Sequence, residues 1–180
     1  MKLRELLVEN FAPNQPYYHV GPDFEQFSMA GFGRGENNHL LGHGIYFINS
    51  QHIAKGYAKY SSEPVLYTVH FNAGADQFYN NRVKPTDAQM ERYNAIANEM
   101  GYAKLADVPY NHSLMKYGRG LAGAVFEKLG TQQGGQLLAK HGVVGQIEEV
   151  DSGIFEVAVY DMSIIQIDSK EPLNQGSEQQ

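Results

Sequence analysis

The stretch Leu41-Gly42-His43-Gly44-Ile45-Tyr46-Phe47, with the residues after it, leaves this chain few folding options. Two glycines around a histidine let the backbone turn sharply or approach a ligand closely. Ile45 to Ile48 are β-branched or aromatic and predict a short strand. Asn49-Ser50 then suits a helix start, and Ile53, Ala54, Tyr57 and Ala58 mark one face of the helix that follows. Tyr46 at the mouth of a strand and Tyr57 on that helix could converge on a planar heterocycle. Two ordinary core tyrosines with wet hydroxyls are the alternative. Upstream, Gly31, Gly33, Gly35, Asn37, Asn38 and Gly42 forbid a helix between Met29 and His43. A long glycine loop feeding a strand is more often functional than decorative.

The rest of the chain reads as support. Tyr17 to Val20 predicts a strand, Asp23 to Phe27 one helical turn, and Pro64 to Asn72 a well-alternating strand. Thr86-Asp87-Ala88-Gln89 has capping-box spacing and opens a helix running to Met100. Gly120 to Leu129 reads as a helix stopped by Gly130, with Thr131 capping the next one. Strands follow at residues 143–147, 155–160 and 164–167, then a polar tail. This predicts one α+β domain over residues 1–168 and a frayed segment over 169–180.

Charge and composition narrow the function. A net charge of −6 argues against a general electrostatic nucleic-acid binder. The absence of cysteine removes disulfides and thiolate zinc sites. No apolar run reaches the roughly 20 residues of a membrane helix. Met1 to Leu7 reads as a short amphipathic helix and not as a signal peptide, so the expected setting is the cytoplasm of a bacterium or phage-infected host cell.

Three pieces fall in order: Tyr18-His19, then Gly44-Ile45-Tyr46-Phe47 with Tyr57, then Glu156 within Phe155-Glu156-Val157-Ala158-Val159-Tyr160-Asp161. The set resembles the His-Tyr-Glu class of ADP-ribosyltransferases, which includes the poly-ADP-ribose polymerase catalytic domains. The closer likeness is to the ADP-ribosyltransferase domains of phage and mobile-element polyvalent proteins. It extends to Asp23-Phe24-Glu25-Gln26-Phe27, to His141-Gly142-Val143-Val144-Gly145 and to the ending around Val159 to Ile167, covering roughly residues 16 to 168.

The resemblance implies a split, two-sheet β core with peripheral helices that clasps NAD as a co-substrate, with no metal. His19 would hold a ribose hydroxyl, and the backbone of Val20 and Gly21 would grip the nicotinamide carboxamide. Tyr46 and Tyr57 would stack on the nicotinamide, with Gly44 admitting the ligand beside them; their spacing (46 to 57) matches the family's pair. Ala54 falls where the polymerases often carry a serine, and Arg34 is a candidate for the pyrophosphate. Glu156 would hydrogen-bond the nicotinamide ribose beside the carbon that loses nicotinamide. A carboxylate about 4 Å from that developing charge is worth about 4 kcal/mol at an effective dielectric near 20. His19-Val20-Gly21 departs from the family's usual His-Gly-Thr or His-Gly-Ser. Ile154 stands where arginine-modifying toxins carry a second glutamate. The implied activity is mono-ADP-ribosylation of a macromolecular acceptor, protein or nucleic acid, with an antitoxin or inhibitor protein as a partner to consider. NAD glycohydrolase, RNA 2′-phosphotransferase and a non-catalytic ADP-ribose-binding module are the rival readings.

Other residues compete for a role. His39 and His43 stand at metal-ligand spacing but lack the glutamate of a zincin. Glu148 and Glu149 read as a solvated loop before Asp151-Ser152-Gly153, or else as a general-base pair. Lys116-Tyr117-Gly118-Arg119-Gly120 is not a phosphate loop, because the Gly-Lys-Thr ending is missing. A carboxylate inside an apolar strand is costly unless it has a use, which singles out Glu156.

Overall fold

The computed structural model describes residues 11–28, 43–80, 83–108 and 120–173. The N-terminal helix expectation, Arg34, His39, His112, residues 116–119 and the tail beyond 173 lie outside them.

The first strand, β1 (Tyr17–Gly21), forms where Tyr17 and His19 alternate with Tyr18 and Val20. Asp23 to Phe27 is not the expected helical turn but an irregular bend. Its Phe24 lies flat on Tyr67, with centroids 4.4 Å apart at 8°, and its amide donates to the Tyr67 hydroxyl at 2.8 Å. Side-chain packing outcompetes helical hydrogen bonding over so short a run. Next come β2 (Ile45–Ile48) and α1 (Gln51–Lys55), where the Ser50 hydroxyl accepts from Ile53 N. The expected longer helix tightens after one turn into a 3₁₀ segment, Gly56–Tyr60. β3 (Val65–Phe71) is buried at most of its positions.

A two-residue strand, β4 (Phe78–Tyr79), is too short for alternation to announce. α2 (Asp87–Glu99) starts on the predicted capping box: Gln89 N donates to Thr86 Oγ1 and Thr86 N donates to Gln89 Oε1. α3 (Gly120–Lys140) contains the expected interruption, since Gly130 sits at φ 75°, ψ 176°. That left-handed region suits glycine and breaks the hydrogen-bond ladder.

β5 (Gly145–Asp151) and β6 (Ile154–Val159) make a hairpin, and β7 (Ile165–Pro172) closes the chain. Two expectations are corrected here. Glu148 and Glu149 belong to β5 and not to a loop. Residues 169–172, expected in the tail, pair with β3, with Lys170 opposite Tyr67. An edge strand keeps one side in water, so its polar sequence reads as frayed tail although its backbone is paired.

The seven strands make one sheet in the order β4-β5-β6-β2-β1-β3-β7, antiparallel except for β4 beside β5. The domain is therefore α+β, with one continuous sheet in place of the expected split, two-sheet core. The sheet has a waist: β1 and β2 register only through Tyr18 and Ile48, whereas β1 pairs with β3 along its whole length. One face buries an aromatic-rich cluster including Tyr17, Phe27, Phe47, Tyr67, Phe71 and Phe155. The other face carries two clusters: Tyr79, Ala158 and Tyr160 under α2 and α3, and Ile48 and Leu66 with Ala54 of α1. No helix among the described residues is long and apolar enough to cross a membrane.

Candidate functional site

The waist is where the expected site residues gather. Continuing the antiparallel register from Tyr18 and Ile48 would set Val20 opposite Tyr46, but Val20 pairs only with Leu66 of β3. The Tyr46 carbonyl instead meets the His19 side chain, Nδ1 to O 2.8 Å. An imidazole N–H thus fills a place that a backbone N–H would occupy in an unbroken ladder.

That bond sets the histidine chemistry. With Nδ1–H donating to Tyr46, the neutral tautomer leaves Nε2 as an acceptor. Burial lowers the His19 pKa below 6.5, and the bond to Tyr46 only partly offsets this. Phe27 and Phe47 lie 5.4 and 5.5 Å from the ring. A Cβ on Gly21 would come within 2.9 Å of Nε2. Glycine two residues on, along the same face of β1, therefore keeps the acceptor nitrogen uncovered.

Glu156 stands one strand beyond β2. Ile48 is its register partner, and Tyr46 is the partner of Ala158, so Tyr46 and Glu156 are diagonal neighbours on one face. Such diagonals are roughly 7–8 Å apart, within reach of long side chains. Along β6, Ala158 packs under α2 and α3 while Ile154 packs toward α1; Glu156 lies between the two apolar clusters and belongs to neither. Burial raises its pKa above 4.5, and Glu148 raises it further. Tyr57, 42% exposed on the 3₁₀ segment, faces the same carboxylate: burial, then Glu156, then Tyr60 push its pKa up.

The predicted residues thus divide. Tyr46 and Glu156 share one face of the sheet, and Tyr57 lies within range of the Glu156 charge. His19 alternates toward the aromatic face with Tyr67 and reaches the others through the Tyr46 carbonyl. Gly44 is fixed by packing: a Cβ there would lie 2.7 Å from the Val159 carbonyl oxygen. Val20 packs beside Ile48 and Leu66, and Ala54, 1% exposed, is buried in the same cluster. His43 spends Nδ1 on the Thr131 hydroxyl, 2.7 Å away, and stacks on Phe126. Two concavities among the described residues lie apart from Glu156. The larger, about 350 Å³, runs between Phe27 and Met162, Ile165 and Ile167; the other is lined by residues including Phe78 and Lys84.

Glu148, expected in a solvated loop or as half of a general-base pair with Glu149, stands in β5 beside Glu156, and its sequence holds a signal for that place. Gln146-Ile147-Glu148 alternates with period two, which sets Gln146 and Glu148 on one face and Ile147 on the other. Glu148 is opposite Glu156 and only 6% exposed, whereas Glu149 turns out to accept from Gly153 N and closes the hairpin. Comparison of the chain with protein-family models, curated proteins and solved structures returns no match.

Proposed function

We propose that this protein is an NAD-dependent mono-ADP-ribosyltransferase that moves ADP-ribose onto a macromolecular acceptor and releases nicotinamide. The observation that carries the reading is the neighbourhood of β1, β2 and β6. His19, Tyr46 and Glu156, far apart in sequence, stand on three successive strands of one sheet. The sheet is continuous, and its narrow β1–β2 pairing supports the reading as the point where a split core would divide.

The chemistry needs few groups. His19 Nε2 accepts a hydrogen bond from a ribose hydroxyl of NAD. Tyr46 and Tyr57 flank the nicotinamide, orient it and exclude water. As the bond between the ribose carbon and the nicotinamide nitrogen breaks, its electron pair stays on nitrogen and neutralises the pyridinium. Positive charge develops on the sugar, as in glycoside hydrolysis, and the Glu156 carboxylate stabilises it. The acceptor oxygen or nitrogen then bonds to that carbon and gives up its proton.

Nicotinamide release from NAD by purified protein is the test, followed by labelled NAD with a bacterial lysate digested separately with protease and nuclease. Glu156→Gln is expected to lower turnover about 10²–10³-fold, the usual effect of removing one preorganised charge-stabilising group. Wild-type turnover in that variant would remove Glu156 from the mechanism. NAD loss without a labelled acceptor would make the protein a glycohydrolase, and ADP-ribose binding without NAD loss would make it a binding module.

A further inference from the structure

Glu156 has a companion. Glu148 is its register partner across the β5–β6 hairpin, so the two carboxyl groups project from the same face of adjacent strands. Cβ atoms in such pairs are about 4.5–5.5 Å apart. Like charges directly opposite each other destabilise a sheet, and a buried glutamate adds a desolvation penalty. Glu148 is 6% exposed, so water does little to screen the pair.

The same face holds a second costly group. Gln146, two residues before Glu148, is wholly buried; its Oε1 accepts from the Tyr160 hydroxyl at 3.4 Å, and its Nε2 has no partner among the described residues. Exchanging the amide's two ends would leave the other end orphaned, so the cost persists either way. A strip of sheet selected for packing alone would carry apolar residues at these positions. Gln146, Glu148 and Glu156 instead form a polar strip that runs out between the two apolar clusters toward Tyr57.

Resting on the transferase reading, we propose that Glu148 is a positioning residue for Glu156: its carboxyl group, buried one strand away, makes Glu156 the proton acceptor for the incoming nucleophile. The proton balance is simple. The acceptor O–H or N–H bond breaks as its heteroatom bonds to the ribose carbon, and the proton passes to a Glu156 oxygen. A lone carboxylate of ordinary acidity takes that proton poorly, whereas one facing a second negative charge takes it more readily. Among the described residues, the titratable groups near Glu156 are Glu148 from β5, Tyr46 from β2, Tyr18 from β1 across Ile48, and Tyr57 from the 3₁₀ segment.

Two measurements test this on the full chain. Side-chain carboxyl ¹³C titration, with Glu156→Gln used for assignment, should find Glu156 titrating above 4.5 in the wild type. In Glu148→Gln, which keeps the side-chain shape, that midpoint should fall by about one pH unit. The acid limb of the pH–kcat profile for NAD turnover should move down by the same amount, with KM for NAD changed less than twofold. A Glu156 midpoint unmoved in Glu148→Gln, or a kcat loss uniform across pH, overturns the proposal while leaving the transferase reading intact. Coupled titration in a protein that turns over no NAD overturns both.

Discussion

Two regions on opposite faces of the sheet carry opposite kinds of side chain. On the β1–β3–β7 side, Tyr17, Phe24, Phe27, Phe47, Tyr67 and Phe71 fill one another's gaps, and even the polar atoms are matched. The Tyr67 hydroxyl donates to the Pro22 carbonyl and accepts from the Phe24 amide, both at 2.8 Å, while Lys170 pairs with Asp23 and donates to the Phe24 carbonyl. On the β5–β6 side, two glutamates face each other, and one end of a buried amide is unmatched among the described residues. The first region gains stability from matched contacts, whereas in the second burial and Glu148 oppose the charge of Glu156. That is the pattern expected where a fold holds reactive groups against their own preference.

The sharpest way to break the comparison is to damage the first region. Phe47→Ala removes a ring that is 1% exposed and touches Phe27, Phe71 and His19. A loss of about 3–5 kcal/mol in urea unfolding is expected. A loss below about 1 kcal/mol would mean that the aromatic cluster is not what holds the waist.

Gly21→Ala probes the boundary between the two regions. The new methyl would crowd His19 Nε2, and the ring is pinned by its Nδ1 bond to Tyr46, so it cannot yield without losing that bond. Net stability should fall by about 1 kcal/mol, the usual worth of one hydrogen bond. KM for NAD should rise about tenfold, which 1.4 kcal/mol of lost ribose contact would produce. An unchanged KM would detach Nε2 from the dinucleotide.

Much of this arrangement was legible in the residues, and the gaps have physical causes. The capping box at Thr86 and Gln89 and the break at Gly130 are local devices, and local chemistry announces them. β1, β2, β3 and β6 follow from alternation or apolar runs. β4 does not, because two residues have no period, and its parallel pairing to β5 is set by where α2 and α3 return the chain. Glu148 reads as solvent-facing because charge in a sequence suggests water; residues 169–172 are exposed, and their polar composition hides only the pairing of their backbone with β3. Burial is settled by the neighbouring strand, which the sequence does not name. The waist, too, depends on where β1 leaves β2 for β3, a tertiary choice. His19 was singled out by resemblance; the reason it can sit there, replacing a backbone donor, needed three dimensions.

The smallest expected effect separates stability from function most cleanly. Glu156 binds its proton more tightly in the folded chain than the ordinary value of 4.5, so the folded state holds more protons than the unfolded state just above that pH. Its contribution to stability is therefore fully present below about 4.5 and is lost as pH rises through the raised folded value. His19 works the other way: its lowered pKa means that stability is lost as pH falls below 6.5. Glu99, held below 4.5 by Lys140 and His141, likewise loses its contribution on acidification. Comparing Glu156→Gln with the wild type cancels those acid-side terms, because both proteins share them. The two should melt together below pH 4.5 and diverge above it, with the variant about 2–4 °C more stable at neutral pH for each kcal/mol of relieved repulsion. A variant gaining stability while losing turnover would mark the acid region as built for chemistry. One that loses stability at neutral pH would mean Glu156 is held by favourable partners, and the contrast between the two regions would then fail at its central residue.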